Sequence, residues 1–190
     1  MSPERPTARA HRALAAVLRP GDLAIDATAG NGHDTVFLAE HVGETGRILA
    51  FDIQPEAIAA TRARITDGGL ASRVTLLLAS HAAMAEHAAP GSAAAIVFNL
   101  GYLPGADHTI ITRTPETLAA LGQAFTILKP GGLLAIVCYP GHPGGDEESA
   151  AVLEWSTCHS PEVIRREDTL RPAPFLILVQ KTRHPTGSRA

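Results

Sequence analysis

The sequence predicts an α/β chain with a doubly wound, mostly parallel sheet, helices on both faces and a C-terminal antiparallel hairpin. Three observations carry this. Five short apolar runs each end in a loop rich in glycine, proline or polar residues; segments of helical period separate most of them; and the last two apolar runs follow one another with no helix between.

The elements follow in order. Residues 7–18 place Ala8, His11, Ala15 and Leu18 near helical spacing, with Arg9, Arg12 and Arg19 elsewhere on the turn, which predicts a leading amphipathic helix. Leu23 to Ile25 form the first strand after the Pro20-Gly21-Asp22 turn, with Asp26 at its end, and a helix runs from about Asp34 to His41 with Val36, Phe37 and Leu38 as its face. Arg47 to Asp52 is the second strand. Pro55 opens a helix to about Ile65, closed by Asp67-Gly68-Gly69. Arg73 to Leu78 is the third strand and residues 93–98 the fourth. Thr114 caps a helix carrying Leu118, Leu121, Phe125 and Leu128, which the Lys129-Pro130-Gly131-Gly132 turn stops before a fifth strand, Leu133 to Cys138. Asp146, Glu147 and Glu148 suit a helix N-terminus through its dipole, and Val163 to Arg166 with Phe175 to Gln180 make the hairpin.

In such a sheet the loops after the strands gather at one edge, where ligands bind. Those loops hold residues 26–34, Asp52, Ser80 and His81, Asn99 to Asp107, and Tyr139 to Gly145. Ser80 and His81 read either as a border for a base or as a helix cap beside an exposed histidine.

The turn after the first strand carries Gly30 and Gly32, but Thr35 stands where a dinucleotide fingerprint needs a third glycine, and Asp34 stands where a pyrophosphate needs bare amides. The ligand is therefore not a diphosphate. Asp26 suits a cationic group, and Asp52, twenty residues past Gly32, suits both hydroxyls of a ribose. An ammonium, a sulfonium and a ribose without phosphate together describe S-adenosylmethionine.

The composition limits the alternatives. At 190 residues the chain reads as one domain, residues 1–190, with its core at about 10–181 and disorder expected only in the last residues. The net charge of −3 argues against a purely electrostatic nucleic-acid binder, yet residues 1–20 and 161–190 each carry +3 around a middle of −9. Basic ends could form a patch for a polyanion if they fold together; solvated tails are the plainer reading. Cys138 and Cys158 make no C-x-x-C pair, the nine histidines show no ligand spacing, and no apolar run is long enough for a membrane span. A cytoplasmic protein with no metal and no membrane partner is expected, and a homodimer is left open.

The stretches Asp26 to Thr35, Asp52 to Gln54, Phe98 to Pro104 and Tyr139 to Gly145 resemble class I S-adenosylmethionine-dependent methyltransferases, which are Rossmann-like. More narrowly, the last two resemble a small bacterial family labelled rRNA methylases; the resemblance spans about residues 10–181. It implies a tRNA-modification enzyme that methylates the amine of 5-aminomethyl-2-thiouridine at the wobble position, and hence a tRNA partner bound through its anticodon region. It places the cofactor on Asp26, Thr28, Gly30, Asn31, Gly32, His33, Asp34, Thr35, Asp52, Gln54, Ser80, His81 and Asn99, and the acceptor chemistry on Asn99, Tyr102, Tyr139 and His142. Among Asn99, Tyr102, Tyr139, His142, Asp107 and His108, only His142 combines an ordinary pKa suited to a base near neutrality with flanking glycines and prolines that hold it at a strand end. The alternatives are an rRNA substrate, a small-molecule or protein amine, an NAD-dependent oxidoreductase, which the missing third glycine counts against, and a non-catalytic module on the same fold. Asn99 to Pro104 only loosely matches the Asn-Pro-Pro-Tyr loop of amino-group methyltransferases, with Leu100 in the second place, and aromatic residues are only 4%, so a base-stacking platform must draw on Tyr102, Tyr139 or a nearby Phe.

Overall fold

A computed structural model describes residues 4–101, 114–141, 143–165 and 172–182. Tyr102, Asp107, His108, His142 and Arg166 lie outside the described residues. The elements are α1 (Pro6–Val17), β1 (Leu23–Asp26), α2 (His33–His41), β2 (Arg47–Asp52), α3 (Pro55–Asp67), β3 (Val74–Leu78), β4 (Ala93–Leu100), α4 (Thr114–Ile127), β5 (Leu128–Cys138), α5 (Gly145–Ser156), β6 (Glu162–Ile164) and β7 (Phe175–Gln180). Short 3-10 turns at Ala71–Arg73, His81–Glu86 and Thr157–His159 complete them.

The seven strands form one sheet in the order β3-β2-β1-β4-β5-β7-β6. Strands β1 to β5 pair in parallel, and β7 runs antiparallel to both β5 and β6. Strand order reverses between β1 and β4, so the crevice outside their carboxyl ends is the switch point where a ligand can enter. Strand β4 is buried from Ala93 to Phe98, the near-continuous apolar run expected of a strand covered on both faces.

Two apolar layers sandwich the sheet. One joins Ala10, Leu14, Leu18, Leu38 and Ile65 of the α1–α3 side to Ala24, Ile48 and Val97; the other joins Leu121, Ile127 and Val152 of the α4–α5 side to Ile25, Phe51, Phe98 and Cys138. Alternate residues of each strand thus face opposite layers, which puts Asn99 and Tyr139 on the α1–α3 side, where Tyr139 packs.

Some expected boundaries and faces differ. The buried stripe of α1 is Ala10, Leu14 and the following Leu18, a four-residue repeat; Ala8 is exposed and His11 and Ala15 only half-buried. On α2 the buried positions are Thr35, Leu38 and Ala39, while Val36 and Phe37 are half-buried. Lys129 to Gly132 does not separate helix from strand: β5 begins at Leu128, and Leu128 pairs with Ala93 across a register shift that absorbs Gly131 at φ +82°. The first hairpin strand is Glu162–Ile164, and the exposed Arg165 beyond it lies over the Phe175 ring at 4.5 Å.

Candidate active site at the carboxyl edge of the sheet

The glycine turn is built by contacts from three strands and one helix. Gly30 and Gly32 take φ of +52° and +79°, conformations open to glycine. A Cβ on Gly32 would also lie 2.9 Å from the Cα of Thr61, so α3 packs directly against the turn. Thr61 Oγ1 donates to the Gly30 carbonyl at 3.0 Å and Arg64 Nε to the Asn31 carbonyl at 2.7 Å, which leaves the turn's amides facing away from α3. Local sequence patterning missed both residues, because their partners lie some thirty positions away.

Asp26 is fully buried rather than open at a strand end. Its Oδ1 accepts from the Thr28 amide at 3.1 Å and its Oδ2 from Thr35 Oγ1 at 2.6 Å, so it braces the turn against the start of α2. Burial, and then the nearby charge of Asp34, push its pKa up to about 7. Asp52 is half-buried. Its Oδ2 accepts from Gly30 N–H and its Oδ1 from Gln54 N–H, both at 2.9 Å, so one acceptor site on each oxygen stays available for a ligand hydroxyl. Gln54 is buried at the start of α3, and His33 is exposed.

Asp34 makes no bond to the turn's amides. Its Oδ1 pairs with Nε2 of His11 on α1 at 2.5 Å, and its Oδ2 accepts from Nδ2 of Asn99. Asn99 is further fixed by its own amide, which donates to Thr28 Oγ1 at 2.7 Å, tying the end of β4 to the glycine turn. Tyr139, at the end of β5, lies beside Gly101, where a Cβ would come within 3.6 Å of it. Burial, reinforced by Asp34, raises the pKa of its phenol and keeps it a neutral hydroxyl. The structure thus brings Asp26, Asp34, Asp52, Asn99 and Tyr139 to one edge and adds His11, which the sequence had offered only as a face residue of a helix.

Ser80 caps the 3-10 turn that follows β3, its Oγ accepting from Ala82 N–H at 3.2 Å. His81 is buried, not exposed: it lies 5.5 Å from the Phe98 ring and its Nδ1 is 3.3 Å from the Ala27 carbonyl. Donation to that carbonyl sets the tautomer, and burial lowers the histidine's pKa, so Nε2 is a buried neutral acceptor with no partner among the described residues. Glu148 also does more than favour a helix dipole. It is buried and accepts from Thr117 Oγ1 at 2.6 Å, locking α5 to α4, while Asp146 accepts from Gly141 N–H at 3.0 Å.

No ion pair among the described residues neutralises Asp26 or Asp52. Three carboxylates lie at this edge, and two buried acceptors there, Asn99 Oδ1 on one face of the sheet and His81 Nε2 on the other, have no partner among the described residues. This donor-hungry set favours a ligand with positive charge and N–H or O–H groups and opposes a polyphosphate. Among the described residues no cluster of His, Cys, Asp or Glu could hold a metal ion, and no helix is long and apolar enough to cross a membrane.

Comparison with known proteins gives relatives of the same build. The profile of the family described as "Putative rRNA methylase" matches residues 48–166. The chloroplastic tRNA (mnm(5)s(2)U34)-methyltransferase of Arabidopsis thaliana is 42% identical over 159 residues, which cover 78% of this chain and 58% of that protein, so the chain spans little more than half of that relative's length. A solved protein from Clostridium thermocellum described as "putative rRNA-methylase" is similar at TM-score 0.91 and 36% identity, covering 95% of this chain and all of that one. A protein from Streptococcus mutans described as "a putative methyltransferase", solved in complex with SAH, is similar at TM-score 0.85 and 34% identity, covering 94% of this chain and 99% of that one.

Proposed function

The chain belongs to the rRNA methylase family and has the class I methyltransferase fold, and from that premise we propose that it transfers a methyl group from S-adenosylmethionine to an amine on RNA. The observation that carries the reading is the acid set at the switch point: Asp26 and Asp52 have no ion pair among the described residues, and Asp34 is held between His11 and Asn99. The cofactor fits it: Asp52 has acceptor sites for ribose hydroxyls, Asp26 and the turn it braces suit the cationic end, and His81 Nε2 suits an N–H donor such as the exocyclic amine of adenine. When bound, the cofactor supplies an electrophilic methyl on sulfur, so that the acceptor nitrogen's lone pair forms the N–C bond, the electrons of the S–C bond stay on sulfur and the nitrogen sheds a proton.

The chain's own part is to hold that nitrogen neutral and in line, since positioning supplies much of the rate. Asn99 Oδ1 is an acceptor for its N–H, and Tyr139 supplies a neutral hydroxyl at the facing strand end. Tyr102 and His142 join them in this proposal, Tyr102 as a positioner and His142 as the proton acceptor. The substrate class we propose is the 5-aminomethyl-2-thiouridine of the tRNA wobble position, supported by the 42% identity to an enzyme of that name; ribosomal RNA is the second reading, supported by the family's description. A cytoplasmic site of action goes with either.

The test is mass spectrometry of tRNA nucleosides from a strain lacking the gene. Accumulation of the aminomethyl nucleoside with loss of its methylated form is the expected result. An unchanged tRNA profile with a lost methyl group in ribosomal RNA favours the second reading, and no change in either overturns both.

A further inference from the structure

The carboxylate of Asp34 is gripped from two sides by elements far apart in the chain. His11 reaches it from α1 at 2.5 Å, and Asn99 reaches it from the end of β4. The His11 ring cannot swing freely, because Phe37, one turn along α2 from Asp34, stacks on it with centroids 3.9 Å apart and planes 6° apart, and His41 tilts onto the other side of Phe37 at 4.1 Å. Only 12% of the Asp34 side chain is exposed against 29% of His11, so the carboxylate end of the pair is shielded while the imidazole end is part-exposed.

The consequence falls on Asn99. A carboxamide has one donor end and one acceptor end, and a carboxylate can only accept, so Asp34 fixes which end of Asn99 faces it. Nδ2 is spent on Asp34, and Oδ1 is left buried without a partner among the described residues, at the strand end that borders the switch point. With the backbone held by Thr28, neither rotation nor slippage of the strand end relieves it.

We infer that His11 and Asp34 are positioning residues: together they set the Asn99 amide with its oxygen toward the methyl acceptor, and so select a nitrogen acceptor that brings an N–H. The inference rests on the amine reading above. The charge on Asp34 suits an amine, whose nitrogen gains positive charge as the methyl arrives, and disfavours an oxygen acceptor, which gains negative charge as it loses its proton. It also assigns Asp34 to the acceptor side of the crevice, in place of a direct bond to the cofactor.

The experiment uses the full-length protein and tRNA carrying the 5-aminomethyl nucleoside, and reads kcat and KM at saturating cofactor together with cofactor affinity by calorimetry. His11→Ala is expected to lower kcat about tenfold and His11→Gln, whose amide can still donate to Asp34, to restore most of it, with cofactor affinity changed by less than about twofold in both. Asn99→Asp, which sets two carboxylates face to face, is expected to lose about a hundredfold or more in kcat, and adding Asp34→Asn, which restores one donor and one acceptor to the pair, to recover at least about tenfold of that. An unchanged kcat in His11→Ala, a collapse of cofactor affinity in it, or no recovery in the exchanged pair overturns the inference. A wild-type enzyme that leaves the amine unmethylated overturns the amine reading itself, and the inference with it.

Discussion

On the face covered by α1, α2 and α3, the polar groups at the carboxyl edge are Asp26, Asp34, Asp52, Asn99, Tyr139 and His11; on the face covered by α4 and α5 they are His81, Thr117 and Glu148. Both sets are largely withdrawn from water, yet they differ in how their needs are met. Glu148 is closed by the Thr117 hydroxyl, and His81 hands its one proton to the Ala27 carbonyl inside the glycine turn. The first face instead concentrates three carboxylates, raises Asp26 to a pKa of about 7 and leaves an amide oxygen orphaned. The first edge, with its unmet electrostatic demand, is arranged for a ligand; on the second, Glu148 and Thr117 satisfy one another and hold α5 to α4, while His81 Nε2 stays without a partner among the described residues.

The largest expected effect lies at Asp52, whose carboxylate anchors the turn and is the proposed acceptor for the ribose. Asp52→Ala removes the anchors of Gly30 N–H and Gln54 N–H together with the ribose acceptors. At roughly 1.5–3 kcal/mol for each charged hydrogen bond, cofactor affinity measured by calorimetry should fall about a hundredfold or more. Unaltered affinity would remove Asp52 from the site and leave the contrast between the faces without its strongest member.

Next comes the acceptor chemistry. His142→Ala should slow single-turnover methylation by about a hundredfold at saturating cofactor, with the deficit shrinking as pH rises and the amine loses its proton unaided. A rate unchanged at every pH would mean that Asn99, Tyr102 and Tyr139 carry the step by positioning alone.

The second face yields a stability effect in place of an activity effect. Glu148→Ala leaves the buried Thr117 hydroxyl without its acceptor. That should cost about 1–3 kcal/mol in urea unfolding, while the cofactor affinity of the folded protein stays within about twofold. A large loss of affinity at preserved stability would place Glu148 in the ligand site and erase the distinction drawn here.

How much of this was legible in the sequence follows from the range of each interaction. Strands such as Arg47–Asp52 and Phe175–Gln180 stood out to the residue, because each is an apolar run bounded by turn residues. The acids Asp26 and Asp52 stood out because they end strands. Asp34 was legible as an obstacle to phosphate, but its partners were not: His11 lies 23 positions before it and Asn99 65 after it, and no local periodicity links them. The same holds for Thr117 with Glu148 and for the burial of His81, which depends on Phe98 and Ala27 closing over it. Of the α1 stripe Leu18 was legible, but Ala8 falls two positions before the buried Ala10, and His11 and Ala15 each one position after a buried residue, because in an alanine-rich helix only packing against the sheet separates the faces.

The smallest change tests the source of the unmet demand directly. In Asp26→Asn the side chain keeps its shape, can still accept from Thr28 and can donate to Thr35, but carries no charge. Asp26 has a folded pKa raised from 3.8 to about 7, so between those values the folded protein keeps a proton that the unfolded chain has released. Stability from this group is therefore fully present below about pH 4, falls as pH rises through the window and is lost above about 7. The variant escapes that loss, and its melting temperature relative to wild type should climb by roughly a few degrees from pH 5 to pH 8 for a chain of this size. A cationic ligand should reverse the preference, because it favours the ionised carboxylate: wild type should release a proton on binding S-adenosylmethionine near pH 6.5, seen as a buffer-dependent binding enthalpy, and the variant should bind more weakly with no such release. Parallel pH profiles for the two proteins, or proton uptake by wild type, would show that Asp26 is only a brace for the turn and that the charge demanding a ligand resides in Asp34 and Asp52.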